Sequence, residues 1–355
     1  MNYKLSGVFC LASGLLSVSF GSYAATPSLS YKLERSDLTI TYTGILYQSS
    51  DAVHWSEVGS ASSPYKVKAI NKKLFFCAKG ESGGSEEENF TISLSGTVNL
   101  DMIWCPAGTF TMGSPEDELG RYSDETQHAV TISRGFWMGK YEVTQAQYKV
   151  VMENNPSWFR GNNLPVEQVN WYDAMEFCQK LTQIEKSMGR LPADYEYTLP
   201  TEAQWEYACR AGTTAAFNNG TNIPTEEQIG YDYYDDHDNL HQGELCPNLD
   251  SIAWYYHNAG TYKYTSHPVG QKLPNAWGIY DMHGNVWEWC LDWYGDYPSS
   301  AVTDPKGAST GSIRILRGGS WCDGADLCRS ADRYGNHPAS DGSLIGFRVV
   351  LSAVQ

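Results

Sequence analysis

Pro274-Asn-Ala-Trp-Gly-Ile-Tyr-Asp-Met-His-Gly-Asn-Val-Trp-Glu-Trp-Cys-Leu-Asp-Trp-Tyr-Gly295 carries four tryptophans, two tyrosines, three acidic side chains and three glycines in 22 residues. It is too aromatic for a solvated loop, and neither a helical nor a strand period of apolar residues runs through its whole length. An irregular, deeply packed segment is expected, with its indoles in the core and its glycines where the chain turns or approaches closely. Asp281 and Glu288 bracket Gly284 and Val286. Two carboxylates with backbone carbonyls between them form an all-oxygen set that suits a hard cation such as Ca2+. The spacing equally allows Asp281 to cap a turn and Glu288 to pair with an arginine.

Outside this stretch, 355 residues suffice for one large domain and a small one. Only 19% of the residues are charged, while Gly numbers 33, Trp 12 and Tyr 24, a composition of loop-rich globular chains rather than bundles or disorder. The formal net charge of −16 argues against nucleic acid or an anionic membrane as partner and favours hard cations. Residues 1–25 read as a signal peptide: Lys4, then an apolar run rich in Ser and Gly, then a small-residue cleavage site near Ala24. Export to the periplasm or cell exterior is therefore expected, with no membrane span left after cleavage. Eight further cysteines, an even number, suit disulfides in an exported chain, and none stands in a C-x2-C zinc pair.

Residues 27–100 read as a small β-sandwich-like module, with short alternating runs at Leu38–Thr43, Tyr65–Ala69, Leu74–Cys77 and Phe90–Leu94 between Ser, Gly, Asp and Asn clusters. From residue 102 to 355 the pattern changes to α+β. Thr144 with Gln147 and Thr201 with Gln204 form capping boxes that start two helices, and a third is expected from Ala174 to about Lys186 with Cys178 on its apolar face. The pair His237 and His241 lacks the helix it would need to converge on a metal.

Several long motifs resemble one family in matching order. Pro274–Gly295 is similar to the "GLYDMxGNVWEW" signature of the formylglycine-generating enzymes, or sulfatase-modifying factors. "AGTFTMGS", "YEVTQAQY", "LPTEAQWEYACRAG", and the ending "RILRGGSW…CRSADR…GFR" extend the likeness over residues 102–351. The resemblance implies a loop-rich, C-type-lectin-like α+β fold. It also implies a calcium site made by the side chains of Asp281 and Glu288 and the carbonyls of Gly284 and Val286.

For chemistry, the resemblance implies two thiolates binding Cu(I), which with O2 oxidises a cysteine of a sulfatase to formylglycine. Soft sulfur selects Cu(I) and holds it at low coordination. The candidates are Cys322 and Cys328, but they stand as C-x5-C where the family has C-x4-C. In the register set by Cys328-Arg-Ser-Ala-Asp-Arg333, Cys328 instead matches a family cysteine that is bridged to the one matching Cys209. Trp287 and Ser320 match positions of the family's substrate cleft, with a core indole and a turn hydroxyl as the plainer readings. Arg317, Arg333 and Arg348 are expected to anchor carboxylates. Two function classes remain: an oxidase acting on a sulfatase-like protein, or a non-catalytic relative that binds a surface protein or glycan on a calcium-stabilised scaffold.

Overall fold

The computed structural model describes residues 88–229, 244–260 and 265–354, together with the strands of the N-terminal segment and the short strands Tyr233–Tyr234 and Leu240–His241. The chain divides into two units, Met1–Glu87 and Glu88–Gln355. In the first, Leu29–Glu34, Asp37–Tyr42 and Tyr65–Lys68 form a three-stranded antiparallel sheet. Phe75–Lys79 pairs with Ile45–Ser49. The expected signal peptide lies outside the described residues apart from the strands Val8–Ala12 and Leu15–Ser19, and His237 lies outside them as well.

The unit boundary falls earlier than the sequence suggests. Phe90–Ser95, expected in the N-terminal module, pairs antiparallel with Val98–Cys105 and is the edge strand of the second unit's main sheet. That five-stranded antiparallel sheet runs in the order Tyr195–Thr198, Val350–Ala353, Phe136–Gly139, Val98–Cys105, Phe90–Ser95. The C-terminal strand Val350–Ala353 thus lies between Tyr195–Thr198 and Phe136–Gly139 and joins them.

Helices α1 (Gln145–Met152) and α2 (Trp171–Ser187) share one apolar cluster with this sheet, with Tyr148, Phe177, Leu181 and Phe347 at its centre. Both predicted capping boxes are present, at Thr144/Gln147 and Thr201/Gln204. Helix α2 begins three residues before the apolar period does, because Asn170 and Asp173 form a further capping box. Cys178 is fully buried on its inner face.

Helix α3 (Glu202–Arg210) is covered on all sides. It packs against a second sheet ordered Tyr334–Asn336, Arg314–Arg317, Trp287–Trp293, Ile345–Gly346. The Pro274–Gly295 stretch thus divides into an irregular first half and a strand, Trp287–Trp293, buried on both faces along most of its length. Register places Glu288 opposite Arg317 and Trp287 beside Ile345. A third sheet, of Gly108–Met112, His128–Ile132 and Val302–Thr303, closes the side.

Candidate functional site

The irregular half of the central stretch is held by its own polar groups. The Asn275 side chain accepts from the Trp277 and Ile279 amides and donates to the Ala208 carbonyl at 2.7 Å, fastening the loop to the end of α3. Asp281, Gly284 and Asn285 all have positive φ. At Gly284, φ is +73° and a Cβ would stand 2.1 Å from the Trp254 carbonyl oxygen, so only glycine fits. The Asn285 amide group donates to Glu142 Oε1 at 3.0 Å and accepts from the His267 amide.

This turn gathers three buried carboxylates, Glu142, Asp281 and Glu288, around one guanidinium, that of Arg348. Glu288 is fully engaged: Arg348 donates to Oε1 at 2.7 Å and to Oε2 at 3.0 Å, and the Trp205 indole donates to Oε2 at 2.8 Å. Asp281 Oδ2 accepts from the Gly270 amide at 2.6 Å. Asp281 Oδ1 and Glu142 Oε2 are buried without a hydrogen-bond partner. Burial, with the Glu288 charge, pushes Asp281 up to about 6, and burial with the Asp281 charge holds Glu142 well above the ordinary carboxylate range.

With all three carboxylates ionised, one guanidinium would leave this cluster with surplus negative charge, and two oxygens are without a hydrogen-bond partner. Those features fit a hard dication better than they fit an empty core. Glu288, however, already has its cation. The oxygens open to a metal are Asp281 Oδ1 and Glu142 Oε2, with the carbonyls of Gly284 and Val286 in the same turn. Sequence reasoning did not find Glu142. It belongs to the Tyr-Glu-Val-Thr run at the start of α1, far away in the chain, and only the fold brings it beside Asp281. Among the described residues, no three His, Cys, Asp or Glu side chains converge as a ready cage.

Arg317 and Arg333 anchor carboxylates as expected, Arg317 on Glu206 at 2.5 Å and Arg333 on Glu202 at 2.7 Å; Arg329, which the sequence did not single out, pairs with Glu125 at 2.6 Å. Both α3 carboxylates are thereby neutralised inside the core, which lets this polar helix be buried.

Beside the Glu288 strand lies a cleft of about 750 Å³. Tyr122, Trp287, Tyr294 and Tyr334 supply its aromatic walls, and Asp124, Asp323, Asp332 and Asp341 its carboxylates. The rings of Trp287 and Tyr334 are 5.3 Å apart at their centroids. Trp287 lines this cleft and is otherwise buried in the core. Ser320 is fully buried, and its hydroxyl donates to the Asp323 carboxylate in a turn.

The candidate thiols differ in their settings. Cys328 is fully buried in an apolar cluster with Phe217, Cys246 and Tyr255, its sulfur 2.7 Å from where a Cβ on Gly319 would stand. Cys322 is only partly buried, and its amide donates to the Ser320 hydroxyl at 3.4 Å. Burial raises both thiols, Cys328 far more. Cys209 packs in a different cluster, with its sulfur 3.8 Å from His283 Nε2 and 3.5 Å from the Ser330 hydroxyl. Cys209 and Cys328 are both free thiols here.

Few helices, several short curled sheets and an arginine–carboxylate interior around a Trp-Glu-Trp strand define the class: the mixed α/β, C-type-lectin-like fold of the formylglycine-generating enzymes and their relatives. A family model for the sulfatase-modifying factor enzyme 1-like domain matches residues 93–353, and the chain belongs to that family. It is 32% identical over 266 residues to the chaperone protein LppX of Paenibacillus barcinonensis, covering 63% of this chain and 80% of that one. It is 27% identical over 304 residues to the mouse (Mus musculus) formylglycine-generating enzyme, covering 70% and 74%. Among solved structures, Treponema denticola variable protein 1 matches with 31% identity and a TM-score of 0.59, covering 74% of this chain and 99% of that one. PvdO of Pseudomonas aeruginosa matches with 26% identity and a TM-score of 0.58, covering 76% and 100%.

Proposed function

We propose that this chain is a binding member of the family that holds a ligand in the cleft beside Trp287, on a scaffold braced by calcium, and that it works outside the cytoplasm. The observation that carries this reading is the position of Cys328. A Cu(I) oxidase needs two thiolates that share one metal and leave it open to a substrate sulfur and O2. The Cys328 sulfur is instead sunk among Phe217, Cys246 and Tyr255, in surroundings that disfavour a thiolate. The C-x5-C spacing and the register of Cys328 with a bridged family cysteine support the same view.

The cleft is suited to binding. It is concave, walled by large rings that lose little entropy on contact, and carries a few convergent polar groups. Calcium, when bound, would supply positive charge to Asp281 and Glu142. The residues that would hold it are those two and the carbonyls of Gly284 and Val286, while Arg348 continues to hold Glu288. The turn is continuous with the strand that presents Trp287, so bracing one positions the other.

The formylglycine-generating relatives give the oxidase reading its support, and one experiment separates the two. The reduced full chain is loaded with Cu(I) and offered a Cys-x-Pro-x-Arg peptide. The binding reading expects no aldehyde; an aldehyde product, lost in Cys322→Ser and Cys328→Ser, would overturn it.

A further inference from the structure

We infer that oxidation joins Cys246 to Cys328 in a disulfide that ties residues 246–256 to the loop after Ser320. The inference goes beyond the binding reading above and shares with it only a setting outside the cytoplasm, where thiols are oxidised.

Cys328 has two thiols to choose between. The family likeness points to Cys209. That residue packs in a different apolar cluster, and its sulfur already lies 3.5–3.8 Å from the Met282 carbonyl, His283 Nε2 and the Ser330 hydroxyl. Cys246 shares the Cys328 cluster, with Phe217, Tyr255 and Ala325, and both cysteines are wholly buried. Tyr255 fixes Cys246 there: its hydroxyl accepts from the Cys246 amide at 2.8 Å and donates to the Cys246 carbonyl at 3.3 Å. The next residue, Tyr256, donates its amide to the Asp323 carbonyl at 3.0 Å, and the Cys328 amide turns the same loop back onto the Ala325 carbonyl at 3.3 Å. A side-chain clamp and a backbone bond thus hold the two segments together. The sulfurs also lie within electrostatic reach of each other. Burial holds Cys328 well above the ordinary thiol range, and a charge on Cys246 adds to the effect. Burial likewise raises the Tyr255 hydroxyl, and charges on both sulfurs add to that.

The reaction is thiol–disulfide exchange with a disulfide oxidant such as oxidised glutathione. Cys246 and Cys328 give up two protons and two electrons and form one S–S bond, while the oxidant's S–S bond breaks to two thiols. The step belongs to folding. The thiolate is the attacking form, and burial raises both thiols once the core has closed. The bridge closes a long stretch of chain, which restricts the unfolded state. It also takes from Cys328 the thiolate that a copper centre would use.

The test starts from the full chain, reduced in denaturant and refolded in a glutathione redox buffer. The product is alkylated, cut with trypsin and Asp-N without reduction, and mapped by mass spectrometry. Asp323 separates Cys322 from Cys328, and Arg210 separates Cys209 from Cys246. The expected result is a Cys328 peptide crosslinked to the Cys246 peptide, with reduction of the bridge lowering the melting temperature. A Cys328 peptide linked to any other cysteine, or recovered alkylated, would overturn the inference. The broader reading fails separately. A Cys209–Cys328 link would sink this pairing and leave the binding cleft standing, whereas aldehyde formation by the reduced chain would sink the binding cleft whichever pairing is found.

Discussion

Arg348 stands where three buried carboxylates meet, and its three hydrogen bonds to Glu288 are what hold that carboxylate. Its guanidinium spans the Glu288 carboxylate, the Gly139 carbonyl of the main sheet and the Tyr280 carbonyl of the central loop. Removing one partner of such a pair costs far more than the pair contributes, because it leaves uncompensated charge in a dry site. Arg348→Met is therefore expected to lower unfolding free energy by about 3–5 kcal/mol, measured by urea denaturation, and part of that loss should return in millimolar Ca2+. A loss below about 0.5 kcal/mol, the range of ordinary surface substitutions, would contradict this account of the cluster.

At the scale of elements, helix α3 and the Trp287–Trp293 strand are joined by a backbone-to-side-chain bond. Asp292 Oδ2 accepts from the Glu202 amide at 2.9 Å, at the N-terminus of α3. Burial and the Glu202 charge push Asp292 up to about 7. A group whose folded pKa lies above its unfolded value binds more protons when folded. Its contribution is complete below about pH 4 and is lost as pH rises through about 7, at about 1.4 kcal/mol per pH unit in that window. Asp292→Asn keeps an acceptor for Glu202 and removes the titration. Relative to wild type, the variant should thus gain stability between pH 4 and pH 7; a constant difference in urea midpoint across that range would refute the assignment.

The same elements show what the sequence made legible. Capping boxes are local, so Thr144 and Thr201 announced α1 and α3 correctly. The start of α2 was missed because the apolar period begins after the cap that Asn170 and Asp173 form. Trp287 was legible as a buried indole of an aromatic stretch, and it also lines the cleft. Glu142 and Tyr334 were not legible, since each acquires its meaning from residues distant in the chain: Glu142 from Asp281, Tyr334 from the ring of Trp287. Glu288 shows both limits at once. The spacing offered a cation ligand or an arginine partner, and the fold supplies the arginine.

Across the whole molecule, the second unit buries several arginine–carboxylate pairs, and the chain as a whole carries a formal net charge of −16. Such an interior is stable only while its charges are matched, and Glu142 and Asp281 are among the buried carboxylates with an oxygen left without a hydrogen-bond partner. Calcium should therefore raise the melting temperature of the full chain. At a hundredfold excess over its dissociation constant the gain would be about 2.7 kcal/mol, or roughly 5–10 °C, reversed by EDTA and absent in Glu142→Gln. A melting temperature indifferent to both additions would remove calcium from the account. No helix among the described residues is long and apolar enough to cross a membrane. The most direct test of a binding cleft over an oxidase is Cu(I) titration of the fully reduced chain against a competing chelator, followed by the aldehyde assay. The account predicts no stoichiometric, tight Cu(I) binding that depends on Cys322 and Cys328, and no aldehyde. One tightly held Cu(I) per chain, lost when either cysteine is changed to serine and accompanied by formylglycine in the peptide, would contradict it.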